Sequence, residues 1–172
     1  MTTRVWRLLV APAVLLLTLA SALVAGSAGA APSRAAAACD TSPYAAQLTN
    51  IRVGRHDSYD RVVLDLCGNR PATSYRFVAQ LTADPSGRPV LIPGNVFLAV
   101  TARPAAAHND AGNPTYTGPR TFTTPSLTNV RAVALTGDFE AVLSVGLGVD
   151  HASWVHVFTL GSPTRVVIDV GH

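Results

Sequence analysis

Three residues able to do chemistry, His108, Asn109 and Asp110, stand side by side in the longest stretch without strand patterning, roughly 103–126, and Asn113, Tyr116 and Arg120 follow closely. A His and an Asp two positions apart have the makings of two metal ligands, or of a base and the group that orients it. Two ligands are too few for a structural metal, and no HExxH or second cluster completes them. No metal and no cofactor is therefore expected. The six residues do share hydrogen-bonding capacity, and Pro104, Gly112, Pro114, Gly118 and Pro119 punctuate the segment around them. A polar loop held by a rigid scaffold is a common recognition device, so the expected binding site is the 104–121 loop, with His108, Asn109, Asp110, Asn113, Tyr116 and Arg120 as its contacts. Two further His/Asp pairs, His56-Asp57 and Asp150-His151, fall in turns, where such residues more often cap local backbone than catalyse. For serine chemistry there is no GxSxG, and Ser144 sits in the middle of a strand pattern. A non-enzyme is expected; the competing reading is a small secreted hydrolase using His108, Asp110 or the Asp150-His151 pair. The strand arginines Arg52, Arg76 and Arg131, with Tyr75, Tyr116 and Trp154, offer a second way to hold a glycan, by stacking and hydrogen bonding.

The elements that must position these groups are strands. From Leu48 onward the chain breaks into short runs rich in Val, Ile, Leu and Thr: 48–54, 61–66, 74–81, 89–93, 96–102, 128–135, 141–148, 154–160 and 165–170. In RVVLDL (61–66) the alternation puts Val62, Leu64 and Leu66 on one face. HDSYD (56–60), DPSG (84–87), TGDFE (136–140) and GSP (161–163) have hairpin-turn chemistry. No window of helical periodicity with caps follows the first thirty residues. The expected fold is all-β, a sandwich of two small antiparallel sheets or a closed barrel. A barrel would favour a third function, carriage of an apolar ligand. LTNIRV (48–53) recurs as LTNVRA (127–132), and RVVLDL (61–66) as RVVIDV (165–170). Matched Arg, Asp and Leu-Thr-Asn residues point to an internal duplication whose copies pack face to face.

Compartment follows from the N-terminus. Arg4 and Arg7 precede an uncharged stretch (8–25), and Ala28-Gly29-Ala30 fits a small-residue cleavage site. That order is a secretory signal peptide, so residues 1–30 are expected to be removed, leaving no membrane span. An uncleaved anchor is the weaker reading, because Pro12, Thr18 and Ser21 interrupt the apolar run. Residues 31–47 form a spacer containing Cys39, and residues 48–172 the folded domain. In an oxidising compartment the two cysteines, Cys39 and Cys67, are expected to form a disulfide, worth roughly 3.5 kcal/mol by loop-closure entropy. Of the 13 basic residues, all arginine, 11 follow the leader, against 10 carboxylates. A charge near +1 provides no basic patch, so nucleic acid is excluded as a partner.

The strand NIRVG (50–54), the early YDRVVLDL (59–66) and the closing PTRVVIDV (163–170) together resemble the AMIN family of bacterial envelope domains. The longer spacers, AHNDAGNPTYTGP (107–119) and LTGDFEAVLSVGLGVD (135–150), are most similar to the AMIN-like domains of exported actinobacterial proteins. The resemblance spans about 48–172. It implies a non-catalytic sandwich of two related sheets, secreted or held at the cell envelope, with cell-wall glycan or an envelope protein as partner. In cell-wall amidases the domain directs an attached enzyme to peptidoglycan; this sequence carries no such catalytic domain.

Overall fold

The computed structural model describes Ser42 and residues 44–172. The expected signal peptide and Cys39 lie outside the described residues. Twelve strands follow in order: β1 (Ala46–Arg55), β2 (Tyr59–Cys67), β3 (Ala72–Val78), β4 (Leu81–Ala83), β5 (Arg88–Val90), β6 (Val96–Arg103), β7 (Ala105–Ala106), β8 (Thr121–Thr123), β9 (Val130–Phe139), β10 (Val142–Val149), β11 (Val155–Leu160) and β12 (Arg165–Gly171). Sheet I has the order β11-β12-β2-β1-β7 and sheet II the order β3-β6-β10-β9-β8; β4 and β5 make a separate hairpin. Pairing is antiparallel except where β7 adds to β1 in parallel, Ala46 opposite Ala105 and Gln47 opposite Ala106.

The alternation seen in the sequence becomes the core. Leu48, Val62, Leu64 and Ile168 from sheet I meet Leu98, Val100, Leu143 and Leu147 from sheet II in one buried cluster. The protein is thus a two-sheet sandwich rather than a closed barrel, with packed aliphatic side chains between the sheets. β4, β7 and β8 escape periodicity because two or three residues carry no readable alternation. The expected strand at 89–93 stops at Val90: Pro93 has no N–H to extend a ladder, and Ile92 turns down onto the outer face of sheet II beside Leu81, Ala132 and Ala134. There Gly146 leaves the space that Leu81 fills, since a Cβ at 146 would collide with the leucine side chain. The 136–140 segment, expected as a turn, continues β9, and the reversal falls at Glu140 and Ala141, both with positive φ.

The repeats occupy an unequal arrangement. The two LTN-(I/V)-R segments lead into or lie on β1 and β9 in facing sheets, whereas the RVV-(L/I)-D segments are β2 and β12, hydrogen-bonded side by side in sheet I. Their register is reciprocal, Arg61 opposite Asp169 and Arg165 opposite Asp65.

One carboxylate joins the two sheets. Asp60 shares the inward parity of Val62, Leu64 and Leu66 and is 0% exposed. It accepts hydrogen bonds from the N–H groups of Thr128 (3.1 Å), Asn129 (2.6 Å) and Val130 (2.9 Å), where sheet II begins β9, and lies 3.1 Å from His172 Nε2. Asn129, equally buried, donates to the carbonyls of Gly171 (2.7 Å) and His151 (3.2 Å) and accepts from the N–H groups of Asp150 and His151. All four hydrogen-bonding positions of its amide are filled. Burial alone pushes the Asp60 carboxyl up, but the bonds from Val130, Asn129, Thr128 and His172 outweigh it and hold the group below the ordinary carboxylate range.

A carboxyl lowered in the folded state contributes stability that is complete above its unfolded value of about 3.9 and disappears as pH falls through the folded one. Urea melts are expected to give a flat stability from pH 7 to about 5 and a decline below about 4. Asp60→Ala removes the acceptor from the N–H groups of Thr128 and of the buried Asn129 and Val130 and is expected to lose about 3 kcal/mol or more at pH 7, with a shallower decline in acid; an unchanged acid limb would show that Asp60 is not the group responsible. The C-terminal strand is equally exacting. β12 lies between β11 and β2, and Val166, Ile168 and Val170 are fully buried. Deleting residues 165–172 removes on the order of 5–9 kcal/mol of aliphatic burial, comparable to a whole domain's stability, so no cooperative melt is expected to remain by circular dichroism.

Candidate functional site

The 104–121 loop is built rather than slack. Asn109 uses its side-chain oxygen on the N–H groups of Ala111 (3.1 Å) and Asn113 (2.9 Å), an Asx-type closure of its own turn. Tyr116 is 9% exposed, stands in the main core cluster and donates its hydroxyl to the Pro119 carbonyl at 2.9 Å; burial pushes its phenol up. Asp110 and Asn113 are exposed at the tip. His108 meets not its neighbour Asp110 but Asp138 on β9, with Nδ1 2.8 Å from Oδ2. The other oxygen of Asp138 accepts the Ala107 N–H at 2.9 Å. Arg120 donates to the Leu135 carbonyl at 3.2 Å. His108, Arg120, Tyr116 and Asp138 thus border a cleft of about 500 Å³ between the loop and β9. Asp138 sits in what reads as a turn, so nothing in the sequence linked it to a histidine thirty positions away.

A second assembly covers the outer face of sheet I. Tyr59, Arg61, Val63 and Asp65 point outward from β2 in alternation with its core residues, and antiparallel register brings Asp169 opposite Arg61 and His156 opposite Asp169. Arg61 grips Asp169 through two bonds of 2.7 Å each, and its guanidinium lies 5.2 Å from the Tyr59 ring centre and 5.9 Å from that of Phe158. His56 stacks on Tyr59 at 4.4 Å, Tyr59 meets Trp154 at 5.9 Å, and Trp154 meets His156 at 5.0 Å. Trp154 remains 46% exposed. Its indole can lie across the end of β12 because residue 171 is glycine; any Cβ there would strike the indole nitrogen. One strand further, Arg52 grips Asp65 by a second two-bond pair, 2.7 and 2.8 Å. The hydrogen bond to Asp169 is the largest influence on Arg61 and raises its pKa.

The other sequence candidates separate. Arg131 pairs with Asp150 at 2.6 Å, and this hydrogen bond lowers the Asp150 carboxyl. Arg76 lines a different groove, with Ser74, Thr101 and Ser144, while Arg52 belongs to sheet I. The arginines named from the sequence therefore form no single face, and Tyr75 spends its hydroxyl on the Val155 carbonyl at 3.2 Å. Asp65 pairs with Arg52, although Arg165 stands opposite it in register; Asp169 does pair with Arg61 across strands. The backbone N–H groups of the Asp150-His151 pair are tied to Asn129, and His56 is engaged with Tyr59. Among the described residues no group of three or more His, Cys, Asp or Glu is arranged to hold a metal. Cys67 is buried at the end of β2 and is not a free cysteine; its expected partner lies outside the described residues.

Comparison with known proteins returns one match. No curated protein and no solved structure matches the chain. The family model described as AMIN-like domain matches residues 46–172, which takes in both sheets from the first residue of β1 through the Gly171–Trp154 contact. A match over that span, on a sandwich opened by β1 and β2 and closed by β12, places this chain in the AMIN-like domain family.

Proposed function

We propose that this protein is an exported, non-catalytic binding module that holds cell-wall glycan at the bacterial envelope through the outer face of sheet I. AMIN-like domains are generally binding modules associated with the cell envelope, which supports the class of function. The observation that carries the ligand is the aromatic and guanidinium platform of Tyr59, Trp154, His156 and Arg61. Sugar rings present apolar C–H faces that pack on aromatic rings, and hydroxyls at their edges that both donate and accept. Arg61–Asp169 and Arg52–Asp65 supply donors and acceptors in fixed geometry while cancelling each other's charge, which suits a neutral polyhydroxylated chain better than a polyanion. Export rests on the leader in residues 1–30, and the Cys39–Cys67 bridge belongs to the same reading.

Purified residues 31–172 are expected to co-sediment with isolated peptidoglycan. A combined Tyr59→Ala and Trp154→Ala variant is expected to bind at least about tenfold more weakly, a loss of roughly 1.4 kcal/mol, while keeping a cooperative melt because both rings lie outside the core. Retention of the parent protein in the supernatant at every salt concentration would remove the wall-glycan reading and leave an envelope protein as the partner.

A further inference from the structure

The geometry of the cleft beneath the 104–121 loop points to a second site, one for an oxyanion: we propose that His108 and Arg120 together bind a carboxylate or phosphate group. What carries this is the set of side-chain donors left free in that cleft. Asp138, the one carboxylate among the described residues that line it, engages each oxygen once, one with the Ala107 N–H and one with the His108 ring. Tyr116 donates its hydroxyl to the Pro119 carbonyl. The other lining residues, Ala107, Gly112, Pro114, Gly118 and Leu135, bring no polar side-chain atom. The side-chain donors that remain are the guanidinium of Arg120, which spends one N–H on Leu135, and, when the ring is protonated, Nε2 of His108. The ring is 40% exposed.

Asp138 also decides how the imidazole is presented. With the carboxylate accepting at Nδ1, that nitrogen carries a hydrogen, and Nε2 is the atom left for a ligand. In the neutral ring Nε2 accepts and in the protonated ring it donates, and Arg120 lines the same cleft. Charge-assisted bonds are the strong ones, and a guanidinium fork matches the spacing of two oxygens on carboxylate or phosphate. Asp110 borders an adjoining depression with Asn109 and Tyr44, which shares His108 and Gly112 with this cleft, but is not itself among the residues lining the cleft. A volume of about 500 Å³ leaves room for the group that bears the anion. The inference does not rest on the glycan platform, which lies on the outer face of sheet I and shares no residue with the cleft.

The test follows the His108 ring resonances of the purified chain by NMR while inorganic phosphate or N-acetylglycine is added, with N-acetylglycinamide as the uncharged control. Saturable shifts are expected with at least one anion and none with the amide. A response to phosphate alone, or to carboxylate alone, supports the site and identifies its source. Arg120→Gln is expected to weaken binding about tenfold or more, the effect of one lost charge-assisted bond, and Arg120→Lys to fall between the two. Arg120 is exposed, so both variants are expected to fold, as their spectra will report. Trp154→Ala is expected to leave the titration unchanged while lowering peptidoglycan binding, which separates failure of one site from failure of the other. No saturable shift with either anion, or equal affinity in Arg120→Gln, overturns the proposal.

Discussion

A carboxylate with no exposure to water holds this sandwich in its particular register. Two β-sheets packed through aliphatic side chains have an apolar interface that is tolerant of small slips, because Val, Leu and Ile contacts are non-directional. Hydrogen bonds are directional, and a buried unpaired polar group is costly. Asp60 on β2 is satisfied only when residues 128–130 arrive at its end of the sandwich with three successive N–H groups turned toward it. Asn129 is satisfied only when Gly171 and the 150–151 turn are also in place. The network thus reads out the position of β2, β9, β10 and β12 together, and its partial occupation would be worse than its absence.

That constraint reaches the outer face of sheet I through β12. Gly171 bonds to Asn129 through its carbonyl and to the Trp154 carbonyl through its N–H, at 3.0 Å. The strand end that completes the buried network therefore also seats the indole at the centre of the outer aromatic row. An aromatic row on paired strands of a sheet, held from beneath, has little conformational freedom left to lose. Arg61 works in the same way: its bidentate bond to Asp169 spans β2 and β12, so the cation that touches Tyr59 and Phe158 has one orientation rather than many.

The two outer faces show how side-chain size divides structural work from binding. Sheet II presents Ala99, Ala132, Ala134 and Gly146, a floor too thin to shield itself, and the chain covers it with Leu81 and Ile92. Sheet I presents Arg, Asp and aromatic residues that satisfy one another laterally and need no cover. One face is covered by the chain itself, and the other keeps Trp154 and Arg52 in contact with solvent.

Much of this was legible in order along the chain. Alternation of Val and Leu with polar residues determined the strands β1, β2, β6, β9, β10, β11 and β12 to within a few residues, because a period of two needs no knowledge of neighbours. The family could likewise be recognised from NIRVG, YDRVVLDL and RVVIDV. Asp60 shows where such reading stops: in the sequence it is an acid beside a turn, and only its inward parity and three donors sixty-eight to seventy positions away make it a buried linchpin. The same holds at the sites. In the sequence His108 stands two positions from Asp110, but a loop closing on β9 gives it Asp138, and Trp154, Tyr59 and Arg61 become neighbours through strand register alone. Sequence spacing determines which face a residue occupies; which residues share that face depends on the order of strands in the sheet, and that order is fixed by long-range packing and buried hydrogen bonds that local patterns do not encode.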